Sequence, residues 1–447
     1  MRTIINRPEL AKHIRFFVML NACTCQIESK SQHVLQNDSL AVWSLLHRLK
    51  LPVPANGDVC DSETAVALIL AHLSNLTSLF FKVPEYSQHN QSTTYLTALG
   101  AVLRQSVLPS PLSASSSPFT RFQNLNSATI TLPTWEKDTS QTQHHHLTSI
   151  LAILYAPNLK TFDFTFQSPP DALVPDWPLP SHPPCAANLS VLRLHCTRTP
   201  STFLAHLLAC TPFLRTFELE ATLPLLFTPR RDVACSDDDG TRFHGGILAT
   251  ALARHCAKLR SFHVSVRTTE PPLYLAEPVL PSRTVIATPL LLLDNNSCCD
   301  VGREEEDGGT RDDDDDDDDD DCEAGLASLR GLRVLNVAMP VLLGWWPNAA
   351  AREALARVLP SGLWELWLRE DMSWWQDYAW HAVHVVRAIE ALLESGRARE
   401  LVKIVIVMRG AKGGQGWWSE ESMELLVKFC AAKGMMAEFR ERDAVEV

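Results

Sequence analysis

One stretch of the sequence has residue types that could bind a phosphate group. The segment MRGAKGGQGWWSEE, residues 408–421, is rich in glycine and lies between a predicted strand and a predicted helix, where phosphate-binding loops occur. It matches neither G-x-x-x-x-G-K-[ST] nor G-x-G-x-x-G, so a nucleotide- or metal-dependent enzyme built on this loop is only the alternative function. The simpler interpretation is a turn in which Ser419 caps a helix whose first turn holds Glu420 and Glu421.

Two further clusters have the residue types of metal ligands. His144, His145 and His146 are adjacent, so on a helix their side chains point in different directions. Cys23 and Cys25 form a C-x-C pair without the second pair that a zinc site needs. The sequence also contains neither G-x-S-x-G nor H-E-x-x-H. We therefore predict no enzymatic activity, no catalytic residue, no metal and no cofactor.

The elements that would position any site follow a repeated pattern. In NLKTFDFTF, residues 158–166, apolar residues are spaced first by three and then by two positions. The same L-x-x-L-x-L spacing occurs ten times, with the first apolar residue at Ile14, Leu76, Leu125, Leu159, Leu189, Leu214, Leu259, Leu332, Leu363 and Leu401. The shortest intervals approach the roughly 20–29 residues of leucine-rich repeats.

Helical segments precede most of these predicted strands. In STFLAHLLACTPFL, for example, Phe203, Leu204, Leu207 and Leu208 form an apolar stripe on one helix face. Strands that are separated by helices pair in parallel, and one such unit cannot bury its apolar face alone. The fold class predicted is therefore α/β: an irregular leucine-rich-repeat solenoid with parallel strands on one face and helices on the other.

Charge and cysteine content restrict the classes of partner. The formal net charge of −12 depends on Asp312–Asp321, and without these ten residues 42 acidic side chains face 40 basic ones. A nearly neutral folded part argues against nucleic-acid binding. No apolar run is long enough for a membrane span, and the start of the chain has charges throughout. We expect an intracellular protein, cytoplasmic or nuclear, with reduced cysteines.

The chain resembles the leucine-rich-repeat part of the F-box-type proteins common in filamentous fungi. The resemblance depends on the irregular repeats, typified by PNLKTFDF and ANLSVLRLHC, and on the opening RTIINRPELAKHIRFFVM. It implies recruitment of a protein substrate to a ubiquitin ligase by the solenoid. The F-box itself would lie upstream of Met1, so a Skp-type adaptor and a cullin are expected partners only if an F-box is supplied. The asparagine that follows the motif in regular repeats is replaced, by Lys82 and Gln167 for example, and we expect irregular turns there.

Strand alternation identifies the residues that would contact a partner. The residues between the inward-pointing apolar ones are predicted to face the concave surface of the solenoid. The candidate partner-binding residues are Asp163, Arg193, His195, Glu218, Glu220, His263, Asn336, Glu365, Trp367 and Arg369. Trp367 either belongs to a binding hot spot or packs against a loop or the C-terminal cap. In KIVIVM, residues 403–408, Val405 and Val407 would be exposed on this surface, so we expect the C-terminal segment to cover them.

Four segments are predicted along the chain. Residues 1–267 form the first part of the solenoid, and residues 326–409 form its second part. Residues 268–325, which include REEEDGGTRDDDDDDDDDDC, are predicted to be a disordered acidic insertion because adjacent carboxylates repel one another and bury no apolar surface. Residues 410–447 are predicted to form a C-terminal cap. The sequence does not identify the partner, because repeats determine the form of a surface rather than what it binds.

Overall fold

The computed structural model describes residues 7–19, 39–49, 51, 62–82, 97–107, 122–132, 147–167, 174–197, 201–223, 243–268, 286–288, 325–343, 355–371, 380–408 and 418–441. The chain divides into two compact units. The first unit comprises Met1–Thr199 and Cys210–Leu214, and the second comprises Pro200–Ala209 and Arg215–Val447. This division differs from the predicted boundaries at residues 267 and 325.

The first unit contains five parallel strands that pair in chain order. They are β1 (Phe16–Met19), β2 (Ser78–Lys82), β3 (Ser127–Thr131), β4 (Thr161–Gln167) and β5 (Val191–Thr197). The pairing keeps equivalent repeat positions side by side: Leu79 is opposite Ala128, and Ala128 is opposite Phe162. The spacing pattern thus determines the register as well as the strands.

The second unit contains six further parallel strands. They are β6 (Thr216–Leu223), β8 (Ser261–Thr268), β10 (Val334–Ala338), β11 (Glu365–Arg369), β12 (Lys403–Met408) and β13 (Met436–Glu441), and they too pair in this order. Two short strands, β7 (Phe243–His244) and β9 (Ile286–Thr288), form a separate parallel pair. All ten strands predicted from the repeat spacing are present, and the α/β class is confirmed.

Helices connect most consecutive strands, as parallel pairing requires. The described α-helices are α1 (Pro8–Ala11), α2 (Ser39–Arg48), α3 (Ser62–Leu70), α4 (Thr97–Val107), α5 (Ser201–Ala209), α6 (Gly245–His255), α7 (Met339–Leu343), α8 (Ala382–Glu394) and α9 (Glu420–Ala432). Residues 147–151 and 355–358 are also helical, and Ala152–Tyr155 and Leu326–Ser328 form 3₁₀ turns. Helices of neighbouring repeats contact each other, α3 with α4, α5 with α6 and α8 with α9.

The core is formed by the apolar positions of the repeat. The first-position leucines from Leu76 to Leu401 are all buried, and so are the two strand residues that follow at spacings of three and two. Aromatic side chains stack along this face: Phe162, Phe164 and Phe166 form a row with ring centroids 5.3 and 4.6 Å apart. Burying a large aromatic or aliphatic side chain contributes about 1.5–3 kcal/mol, so the many buried residues of this face stabilise the fold.

The turn that leads into each strand repeats one hydrogen-bond arrangement. A single carbonyl accepts two N–H groups from the next repeat: Arg15 O accepts from Thr77 and Ser78, and Arg260 O accepts from Arg333 and Val334. We call these segments the entry turns. They satisfy backbone groups that would otherwise be left without partners beside a buried strand.

Residues 410–447 do not only form a cap, because α9 and β13 add a further helix and strand to the second unit. Within the predicted disordered insertion, β9 is a strand, while most of residues 268–325, including the aspartate run, lie outside the described residues. Ser419 is the N-cap of α9 as predicted, and its hydroxyl accepts a hydrogen bond from Ser422 N–H at 3.2 Å.

Candidate binding surface

The ten predicted partner-binding residues all lie on strands, at half-buried positions that alternate with the core. In the second unit, register brings Glu218 opposite His263, His263 opposite Asn336, and Asn336 opposite Trp367. We call these four residues the polar row. Four strands from distant parts of the chain therefore place acidic, imidazole, amide and indole groups side by side on one face.

Trp367, at one end of the polar row, is held by charged neighbours. Its indole N–H donates to Glu365 Oε2 at 3.0 Å. The Lys403 ammonium lies 5.7 Å and the Arg440 guanidinium carbon 4.6 Å from the ring centroid, both within the range of cation–π attraction. Of the two roles predicted for this residue, packing against the C-terminal segment is therefore observed, since Arg440 belongs to β13.

The same contacts explain how β12 can carry an apolar side chain on the face of the sheet that holds the polar row. Val405 of β12 is fully buried although it points to the side of the sheet that carries the polar row. Arg440 on β13 and Trp367 on β11 meet above it, from the strands on either side of β12. Of the two valines that the C-terminal segment was expected to cover, Val405 is buried, whereas Val407 is only half-buried.

Glu438 joins the two cations of this cluster. Lys403 Nζ lies 2.6 Å from its carboxylate, and Arg440 donates a hydrogen bond to the same group. The hydrogen bond from Arg440, followed by that from Lys403, lowers the pKa of Glu438 to about 2. Glu438 was not among the predicted site residues, because the repeat pattern does not reveal the strand that carries it.

Arg369 and Asp371 form a second polar cluster on the same face. Arg369 Nε lies 3.1 Å from Asp371 Oδ1, and the Asp371 side chain is only 2% exposed. Asp371 also accepts a hydrogen bond from the backbone N–H of Val266 at 3.1 Å, which links β8 to the end of β11. The buried Asp371 side chain accepts hydrogen bonds from both Arg369 and the backbone of Val266, so it positions Arg369.

Asn336 in the middle of the polar row differs from its neighbours. Its side-chain oxygen is buried, and within the described part of the chain it has no hydrogen-bond partner. A buried polar atom left without a partner costs about 1–3 kcal/mol. Asn336 therefore makes the second unit less stable than a residue without an unpaired buried atom would.

In the first unit, the predicted residues lie on β4 and β5. Asp163 is opposite Arg193, and Thr165 is opposite His195. His195 Nε2 lies 3.6 Å from Asp163 Oδ1, which would become an ion pair when the imidazole is protonated. Structure thus brings Asp163, Arg193 and His195 together, as the alternation predicted.

Sequence reasoning missed a ladder of asparagines in the entry turns of the first unit. Asn75 donates to Lys12 O at 2.7 Å and Asn188 donates to Pro157 O at 2.7 Å, each reaching the turn of the preceding repeat. Asn158 likewise donates to Gln123 O, and Asn124 donates to Asn75 Oδ1 at 3.4 Å. The signal was the N that precedes the first leucine in NLTS, NLNS, NLKT and NLSV.

The ladder borders an open depression of about 330 Å³ at the edge of the first unit. Its other lining residues are Arg15, Thr77 and Asn126. Thr77 Oγ1 donates to Arg15 O at 3.0 Å, so the hydroxyl also supports an entry turn. The hydrogen bonds that connect neighbouring repeats explain why these polar residues line the depression.

In the second unit, charged residues link the entry turns instead. Arg333 Nη1 donates to Gly362 O at 2.8 Å and also pairs with Glu400, so that three successive turns are joined. Trp364 Nε1 donates to Glu400 at 3.2 Å. The hydrogen bond from Arg333, and then that from Trp364, holds the pKa of Glu400 below its ordinary value.

The remaining sequence candidates lie outside the described residues. These are the three adjacent histidines at 144–146, Cys23 and Cys25, and residues 409–417 of the glycine-rich segment. Among the residues that the structure describes, no group of three His, Cys, Asp or Glu side chains could hold a metal ion.

No protein-family model matches the chain, and no curated protein matches it either. In the described part of the chain, none of the helices has both the length and the apolar character needed to cross a bilayer.

Proposed function

We propose that this protein recognises a protein partner through the polar face of a leucine-rich-repeat solenoid. The repeat spacing, the parallel strands that pair in chain order and the helices between them support the solenoid. By its resemblance to fungal F-box-type proteins, the partner would be a substrate of a ubiquitin ligase. A stand-alone recognition scaffold without a ligase is the second candidate.

The observation that carries the proposal is Asn336. It lies in register between His263 and Trp367, and its buried side-chain oxygen has no partner among the described residues. Natural proteins break the rule of satisfied buried polar groups mainly at functional sites. A polar group kept at a cost in stability, in a row that already holds a carboxylate, an imidazole and an indole, fits a recognition surface.

The proposal is tested by affinity purification of the tagged chain from its own cells, followed by mass spectrometry. The parent is compared with Glu218→Lys, which reverses the charge at the start of the polar row. Lys428→Ala is the control, because Lys428 is on the exposed face of α9 and pairs only with Glu424 among the residues described. We expect the specific proteins to be lost with Glu218→Lys and retained with Lys428→Ala.

Two outcomes decide between the candidates. Recovery of a Skp-type adaptor and a cullin with the parent would support the ligase receptor, whereas specific partners without them would support a stand-alone scaffold. If both variants recover the same proteins as the parent, the polar row is not the recognition surface.

A further inference from the structure

Two cysteines of the first unit occupy the same position in successive repeats. Cys185 lies four residues before Leu189 in CAANL, and Cys210 lies four residues before Leu214 in CTPFL. The backbone joins these positions directly, because the N–H of Ala186 donates to the carbonyl of Cys210 at 2.9 Å. The two cysteines are therefore neighbours in space as well as equivalents in the repeat.

This hydrogen bond sets an upper limit on the distance between the two Cα atoms. With standard bond lengths it keeps the Cα atoms of Cys185 and Cys210 within roughly 8 Å of each other. Disulfides need Cα atoms about 4.4–6.8 Å apart, a range that falls inside this limit. The backbone hydrogen bond is therefore compatible with a disulfide between the two residues.

The environments of the two thiols are different. Cys185 is exposed to solvent, whereas Cys210 is 5% exposed. Burial, and then the nearby Cys185, raises the pKa of the Cys210 thiol to about 12. A disulfide is a strong oxidant when the thiolate of its reduced form is stabilised, so a site that disfavours the thiolate favours the disulfide instead.

We propose that Cys185 and Cys210 form a reversible disulfide when the protein meets an oxidant such as oxidised glutathione. The Cys185 thiolate attacks one glutathione sulfur, which forms a mixed disulfide and releases one glutathione thiolate. The Cys210 thiolate then attacks the Cys185 sulfur and displaces the second glutathione. Two protein thiols and one oxidised glutathione thus become one protein disulfide and two reduced glutathiones.

The bond would close a loop that contains β5. This strand carries Arg193 and His195, two of the predicted partner-binding residues. Cross-linking restricts the unfolded chain more than the folded one, and so stabilises the folded loop. The inference does not depend on the proposed function, since it concerns only the thiols.

Tryptic peptide mapping of the full chain tests the proposal. Cleavage places Cys185 in residues 161–193 and Cys210 in residues 199–215, with Cys196 alone in residues 194–198. After treatment with oxidised glutathione at pH 8, we expect a cross-linked species of 161–193 and 199–215 that dithiothreitol separates. We also expect its formation to accelerate as pH rises, because the second step needs the Cys210 thiolate.

Two cysteine variants test whether Cys185 and Cys210 are the residues that form the disulfide. Cys185→Ala changes an exposed residue and should abolish both the cross-linked species and the rise of several degrees in the thermal midpoint that oxidation gives the parent. Cys256→Ala removes another buried thiol and should leave both unchanged. The proposal fails if the cross-linked species is absent from the oxidised parent, or if Cys185 instead links to other cysteines of the chain.

Discussion

Arg440 lies over the indole ring of Trp367, with 4.6 Å between the guanidinium carbon and the ring centroid, although β12 runs between the strands that carry them. The contact spans Val405, which would otherwise expose an apolar side chain on the polar face. Trp367, one of the candidate partner-binding residues, therefore also attaches the last strand to the second unit.

Replacing Trp367 should destabilise the second unit. Trp367→Ala removes the ring between Lys403 and Arg440 and uncovers Val405, and we expect the free energy of unfolding to fall by about 2–4 kcal/mol. Trp367→Phe keeps an aromatic face for both cations and should retain most of the stability. Urea denaturation followed by circular dichroism measures both. Equal losses for the two variants would show that the cations contribute nothing through the ring.

The stability of the second unit should depend on pH through Glu438. The pKa of Glu438 is lowered from 4.5 to about 2 by Arg440 and Lys403. A lowered pKa in the folded state gives stability that is present above pH 4.5 and is lost as pH falls from 4.5 towards 2. Thermal midpoints measured across this range should fall less steeply for Glu438→Gln than for the parent. Parallel curves for the two proteins would refute the role of this carboxylate.

The asparagine ladder should contribute to the stability of the first unit. Asn188→Ala removes the hydrogen bond to Pro157 O, and we expect a loss of about 0.5–1.5 kcal/mol in the free energy of unfolding. Asn126→Ala is the matched control, because its side chain makes no hydrogen bond to any described residue. If chemical denaturation gives the same loss for both variants, the ladder is not a stabilising device.

Asn336 should be replaceable with a gain in stability. Asn336→Leu removes the unpaired buried oxygen and adds apolar surface beside Trp367, so we expect the free energy of unfolding to rise by about 1 kcal/mol. Asn126→Leu, at an exposed position, should give no such gain. If Asn336 serves recognition, the stabilised variant will recover less partner than the parent. A destabilised Asn336→Leu protein would mean that the amide is needed for folding.

Much of the fold was determined by the sequence alone. Whether a strand residue is buried depends on its spacing from the apolar residues next to it in the chain, and this spacing can be seen in the sequence. L-x-x-L-x-L places apolar groups on one face of a strand, and ten strands were predicted from it. The same alternation placed Glu218, His263 and Trp367 at half-buried positions of the sheet. The pattern involves only a few consecutive residues, so insertions between repeats did not hide it.

Only the tertiary structure decided which repeats touch and through which atoms. β13 was not predicted because Gly434 occupies the first position of the pattern, where every other repeat has leucine or isoleucine. Gly434 has a positive φ of 73° and ends α9, which a leucine there would do only with strain. The hydrogen-bond partner of Asn188 and the two cations beside Trp367 belong to other repeats. A local pattern cannot specify such contacts, because strand pairing brings the atoms together from distant segments.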